Sequence, residues 1–189
     1  RRKEDDQLSL APARPGLGKG GIKLPSGVLS GEKIINFLTR ETSNSAGISD
    51  FNELSIPFRA VATDINSGKA VVLASGNLAM SMRASMSIPG AFTPIEIDGH
   101  LLVDGGMVNQ VPIDVVRDMG ADIVIAVDVG TPLDKIDEQS SLLAIANQVT
   151  GFLTVGNTEI SVASLTEKDI LIRPKLGDDV TTTSFDLDK

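Results

Sequence analysis

The chain has 189 residues, 41% of them hydrophobic, which is enough to bury a core and excludes a disordered tail. Seventeen Lys and Arg against 25 Asp and Glu leave a formal charge of −8 and a pI near 4.6, so no surface is expected to neutralise phosphates and nucleic acid is not an expected partner. Cysteine is absent and His100 is the single histidine, which excludes disulfides, thiolate chemistry and sites built on several imidazoles; neither a metal nor a cofactor is expected.

Trp and Tyr are also absent, leaving six Phe and little from which to build base-stacking platforms. No apolar run approaches the roughly 20 residues of a membrane span. The chain opens with Arg1, without an initiator Met or a signal-peptide pattern, and is expected to be a fragment or a processed product.

Residues 1–30 begin with the charged RRKEDD and continue through a Pro- and Gly-dense stretch without helical or strand period, and read as a surface arm. Gly31–Glu41 places Ile34, Ile35 and Leu38 at helical spacing with Ser30 as a candidate N-cap. The following SNSAGISDFNE is polar and turn-rich and reads as a loop. PFRAVATDI and KAVVLAS flank an Asn66-Ser67-Gly68 turn and predict a hairpin.

Asn77–Ile88 predicts a helix with Leu78, Met82 and Met86 on one face, stopped by Pro89-Gly90. FTPIEID and HLLVD predict two strands around the Asp98-Gly99 turn. Pro112 suits the first turn of a helix reaching Met119, with Gly120 as its stop. In DIVIAVDVG five successive apolar residues, Ile123–Val127, predict a strand covered on both faces of a parallel sheet. SLLAIANQVTGFLTVGN supports one longer helix and DILIRP a last strand. Alternating strands and helices imply an α/β fold with a largely parallel sheet.

The sharpest motif is LLVDGGMVNQVP, in which Asp104 closes an apolar strand and Gly105 and Gly106 let the backbone turn beside it. A carboxylate held on such a strand end is placed to orient a nucleophile or take its proton. The competing reading is an Asp-Gly turn whose side chain caps neighbouring N–H groups.

The blocks PFRAVATDI, RASMSIPGAF and LLVDGGMVNQVPIDVVRDMGADIVIAVDVG, in that order, resemble the C-terminal half of a bacterial patatin-like phospholipase; the likeness runs from about Arg1 to about Pro174. The resemblance implies a three-layer α/β/α fold, incomplete at the N-terminus, with residues 31–189 as the C-terminal part of one hydrolase domain. It implies a serine lipid acyl hydrolase with a Ser-Asp dyad, phospholipid or another acyl-ester lipid as substrate, and a membrane surface as a place of work. Asp104, Gly105 and Gly106 match the family's D-G-[GA] turn. RRKEDD resembles members fused to an outer-membrane barrel, which tilts the expected location toward the bacterial envelope or secretion.

No G-x-S-x-G elbow occurs in the chain. The nearest look-alike, Ser43-Asn44-Ser45-Ala46-Gly47, follows a helix and precedes a polar loop, whereas an elbow needs a strand feeding it and a helix leaving it; Ser45 therefore reads as a loop serine. The nucleophile and the oxyanion glycines are expected on an N-terminal segment of the same protein. Gly16-Leu17-Gly18-Lys19-Gly20-Gly21 fits G-x-G-x-x-G formally but lacks the flanking strand and helix, and reads as a flexible turn.

His100 sits in the Asp98-Gly99 turn and reads as an exposed hairpin residue, leaving Asp104 to act as base unaided. A carboxyl with an ordinary pKa of about 3.9 suits that task poorly, so burial has to raise it. Leu78, Met80, Met82 and Met86 read as core before they read as an acyl-chain wall. Ser85 and Ser87 read as packing and helix-end capping, Asp64 and Asp128 as turn caps, and the acids of EKDILIRPKLGDD as solvated. Two other functions stay open: a binding or assembly module that lost its nucleophile, and, on the glycine run alone, a nucleotide-binding domain.

Overall fold

A computed structural model describes residues 16–18, 21–23, 27–29, 31–130, 133 and 142–174. The architecture is mixed α/β, and the chain forms two compact units, Arg1–Val108 and Asn109–Lys189.

In the first unit three short strands, β1 (Gly16–Gly18), β2 (Gly21–Lys23) and β3 (Gly27–Leu29), lie within the region expected to be an irregular arm. β1 and β2 pair antiparallel. Helix α1 (Glu32–Glu41) buries Leu38 and half-buries Ile34 and Ile35, the stripe its spacing predicts. Its N-cap position is Gly31, at φ 76°; Ser30 lies outside the described residues.

β4 (Ala60–Asp64) and β5 (Lys69–Leu73) form the predicted hairpin, with Gly68 at φ 66° closing its turn. Helix α2 (Leu78–Ser85) starts at Asn77, whose side chain accepts from the Met80 N–H (2.9 Å). β6 (Gly90–Phe92) pairs parallel with β3. β7 (Ile95–Ile97) and β8 (His100–Asp104) are antiparallel about Asp98 (φ 51°) and Gly99 (φ 80°), the left-handed pair that a two-residue hairpin turn requires. The unit ends in a short helix, α3 (Gly106–Asn109).

The main sheet runs β5-β4-β8-β7, with every neighbour antiparallel. The expectation of a largely parallel sheet is therefore corrected. Two hairpins supply four of its strands, and hairpins can only make antiparallel pairs. β4 is buried along its whole length, and Ala62, Leu102 and Ala84 meet at the centre of the core where α2 packs on β4 and β8.

The buried face of α2 also differs from the expected one. Leu78, Met80, Met82 and Met86 are only half-buried, while Ala79, Ser81, Arg83 and Ala84 face inward. Small side chains let the helix approach the sheet closely, and the Arg83 guanidinium is accommodated by Ser87 Oγ (2.6 Å) and by the Phe92 ring 4.6 Å away.

The second unit holds α4 (Ile113–Asp118), β9 (Ile125–Val127), α5 (Leu142–Ala163) and β10 (Ile170–Ile172). β9 and β10 pair parallel. Val124 and Ala126 join Val111 and Ile113 in a small core, but Ile123, Ile125, Val127 and Val129 are all more than half exposed. The expectation of a strand covered on both faces is not met among the described residues, where the cover comes from one side only. Among the described residues, no helix is long and apolar enough to cross a membrane.

Candidate functional site

Asp104 is the last residue of β8 and pairs with Ala62 at the end of the β4–β8 ladder. Its backbone is held from two directions. The Asp104 N–H donates to the Ser87 carbonyl (3.0 Å) and the Gly105 N–H to the Ser85 carbonyl (3.3 Å), both at the end of α2, while Thr63 Oγ1 on β4 donates to the Asp104 carbonyl (2.8 Å). The side chain is fixed by its own turn: Oδ1 accepts from the Gly106 N–H at 2.7 Å. Among the described residues Oδ2 accepts no hydrogen bond. The carboxyl is half-buried, and burial pushes its pKa above the usual carboxylate range against the lowering effect of the Gly106 N–H.

The glycines serve a different purpose from the one expected. Neither Gly105 nor Gly106 has a positive φ. A Cβ on Gly105 would lie 2.0 Å from the Val61 carbonyl oxygen and 2.6 Å from its carbon. Gly105 is thus required for a close approach between the turn and β4, and not for a left-handed bend. Ser85 Oγ donates to that same Val61 oxygen at 2.6 Å, so the network of contacts around Asp104 closes on itself through β4, α2 and β8. Ser85 is therefore not a helix-end cap. Ser87 is: its hydroxyl donates back to the Arg83 carbonyl (2.9 Å).

His100 and Asp104 occupy opposite ends of a five-residue strand, roughly 14 Å apart at about 3.4 Å per residue. His100 Nδ1 instead lies 3.3 Å from Asp64 Oδ2. The Asp64 carboxylate also accepts from the Asn66 N–H and the Ser67 hydroxyl, and these two bonds lead in holding its pKa below the usual range. Asp128 likewise caps Gly130 and pairs with Arg173. Both acids have the turn and cap roles expected of them.

Ser45 lies in a 3-10 turn, Ser43–Ser45, entered from α1 through Thr42, and no strand feeds it. Gly16–Gly18 and Gly21 of the glycine run lie in the paired strands β1 and β2, with Gly18 opposite Gly21; Lys19 and Gly20 lie outside the described residues. Among the described residues no cluster of three or more His, Asp or Glu side chains could hold a metal ion.

Asp169 was expected to be solvated, and this is corrected. Its side chain is fully buried and accepts from the Thr166 and Val124 N–H groups, the Thr166 hydroxyl and the Arg117 guanidinium. The two backbone bonds are foremost in driving its pKa far below the usual range. Neither this nor the Thr63 contact was visible in the sequence, since the partners are 45 and 41 residues away.

A family model described as patatin-like phospholipase matches residues 9–117, a span that includes Asp104–Gly106 together with Val61, Thr63, Ser85 and Ser87. An uncharacterized NTE family protein of Mycobacterium bovis is 40% identical over 102 residues, 54% of this chain and 27% of that protein. Patatin-like phospholipase domain-containing protein 7 of Mus musculus is 47% identical over 81 residues, 42% of this chain and 6% of that protein. Patatin-like phospholipase domain-containing protein 6 of Mus musculus is 44% identical over a stretch of the same length. The matched part of the chain spans 27% or less of the length of these relatives. With animal and mycobacterial relatives alike, the likeness singles out neither a bacterial source nor the barrel-fused members.

Proposed function

Because the chain belongs to the patatin-like phospholipase family, we propose that it carries the acidic half of a lipid acyl hydrolase that cleaves phospholipids or other acyl esters through a Ser-Asp dyad. Asp104 is the base. The serine and the oxyanion donors come from an N-terminal segment of the same protein. The serine hydroxyl forms a bond to the ester carbonyl carbon while Asp104 takes its proton; the alcohol leaves with that proton, and water then releases the fatty acid from the acyl-serine. General-base help of this kind is worth about 10²–10⁴-fold, and an oxyanion donor about 10²–10³-fold.

One observation carries the reading. Asp104 is fixed at a strand end by Gly106, its environment raises its pKa, and Oδ2 accepts no bond from any described residue, so it is available to an incoming hydroxyl. The test is Asp104→Asn in the full-length gene product, assayed with a phospholipid and a short-chain p-nitrophenyl ester. Turnover should vanish while the fold stays intact, and the isolated 189 residues should hydrolyse neither ester. Full activity in the Asn variant, or hydrolysis by the 189 residues alone, would overturn the assignment. A location in the bacterial envelope, or secretion, is a narrower extension that rests on the likeness of RRKEDD alone; recovery of the protein from the cytosolic fraction removes it.

A further inference from the structure

Resting on that reading, a further question is what aims the Asp104 carboxylate. Among the described residues its side chain has one hydrogen bond, accepted from the Gly106 N–H two residues on, so the carboxylate is tied to its own turn and follows wherever the turn goes. The direction of the side chain is therefore set by whatever fixes the peptides on either side of Asp104. Backbone pairing fixes them only in part, because the β4–β8 ladder ends at Ala62–Asp104 and the next residue has left the sheet.

Two hydroxyl groups act at that point. Thr63 is only 3% exposed and its Oγ1 donates to the Asp104 carbonyl at 2.8 Å, reaching past its own ladder partner, Val103. Ser85 Oγ donates to the Val61 carbonyl at 2.6 Å, the oxygen against which Gly105 is packed. The Ser85 carbonyl in turn accepts from the Gly105 N–H at 3.3 Å. One hydroxyl thus holds the peptide that ends the strand, and the other joins α2 to the surface on which the turn rests.

We propose that Thr63 and Ser85 are positioning residues for Asp104, a pair of hydroxyl clamps that fix the strand-end turn and so aim its carboxylate at the serine hydroxyl. Neither touches substrate. Their effect falls on the chemical step, since a displacement of about 1 Å at a reacting group costs on the order of 10²-fold in rate. Binding of the ester does not involve them.

The experiment compares Thr63→Val, Thr63→Ser, Ser85→Ala and Asp104→Asn in the full-length gene product, with a short-chain p-nitrophenyl ester as substrate. Thr63→Val keeps the shape and removes only the hydroxyl, and kcat should fall about 10- to 100-fold with KM within twofold. Thr63→Ser restores the donor and should recover most of the loss, a rescue that lost packing would not show. Ser85→Ala should behave as Thr63→Val does. Urea unfolding of each variant checks that it is folded; should Thr63→Val fail to fold, Ser85→Ala carries the test. If Asp104→Asn abolishes turnover while Thr63→Val and Ser85→Ala keep kcat within twofold, the clamp proposal is wrong and the dyad stands. If Asp104→Asn is itself active, the dyad is wrong and the clamp falls with it. A loss in Thr63→Val that Thr63→Ser does not recover also overturns the positioning role.

Discussion

Replacing Gly105 by Ala tests the close approach on which the site is built. The new methyl would sit 2.0 Å from the Val61 carbonyl oxygen, 2.6 Å from its carbon and 3.2 Å from the Ala62 nitrogen. Backbone atoms of a buried central strand cannot swing away as a side-chain end can, so the turn must retreat by about 1.4 Å to restore ordinary contact at 3.4 Å. That retreat stretches the Thr63 hydroxyl bond to the Asp104 carbonyl and the Gly105 N–H bond to the Ser85 carbonyl, worth about 1 kcal/mol each. Overpacking adds about 1–3 kcal/mol. The expected destabilisation is about 3–5 kcal/mol, a large share of the 5–15 kcal/mol that holds an ordinary domain together. Urea unfolding followed by far-ultraviolet circular dichroism measures it; with a slope of about 2 kcal/mol/M the midpoint should drop by roughly 1.5–2.5 M. Gly47→Ala is the control, because a Cβ there meets nothing within 4 Å and φ is not positive. If Gly105→Ala unfolds at the same urea concentration as Gly47→Ala, the steric account of the motif is refuted.

The Asp104→Asn variant also makes a stability prediction of opposite sign to its effect on activity. A carboxyl whose folded pKa is raised stabilises the fold below its unfolded pKa of about 3.9 and loses that contribution as pH rises through the folded value. The Asn variant should therefore gain on the parent as pH climbs from 4 toward 8, and a difference in urea midpoint that does not change with pH would contradict this. Asp169→Asn should do the reverse: its depressed pKa contributes stability above about pH 4 that is lost on acidification, so the variant's deficit at pH 7 should shrink below pH 4 in the same assay. Phe51→Ala removes a fully buried ring that lies 6.1 Å from Phe58 and should cost about 3–5 kcal/mol in thermal or urea unfolding.

Much of the local structure was legible because its causes are local. The Asn66-Ser67-Gly68 and Asp98-Gly99 turns carry their own backbone requirements, and the α1 stripe shows its period directly. Asp104 was legible for the same reason, as an acid closing an apolar strand before two glycines. What was hidden depends on register. That Gly105 abuts Val61, that Thr63 rather than another hydroxyl reaches Asp104, and that Asp169 sits under Val124 all follow from pairings between distant segments. The face of α2 was misread because its Met and Leu residues outweigh Ala79 and Ala84 in hydrophobicity, whereas the sheet favours the smaller side chains that let the helix come close. The apolar run Ile123–Val127 marks a strand well, but a run without alternation cannot say how many of its faces are covered.

That strand has a practical consequence for handling the protein. Ile125 and Val127 on β9, Ile123 and Val129 just beyond its two ends, and Ile170 and Ile172 on β10 turn a row of branched aliphatic side chains toward water. A contiguous greasy strip of this kind drives colloidal self-association, and sulfate or phosphate buffers, which salt out apolar surface, make it worse. The chief counterweight is mutual repulsion between molecules carrying a formal charge of −8, and it fades as the buffer approaches pH 4.6. Purification in dilute, mildly alkaline, chloride-based buffer suits such a molecule; acid precipitation steps do not.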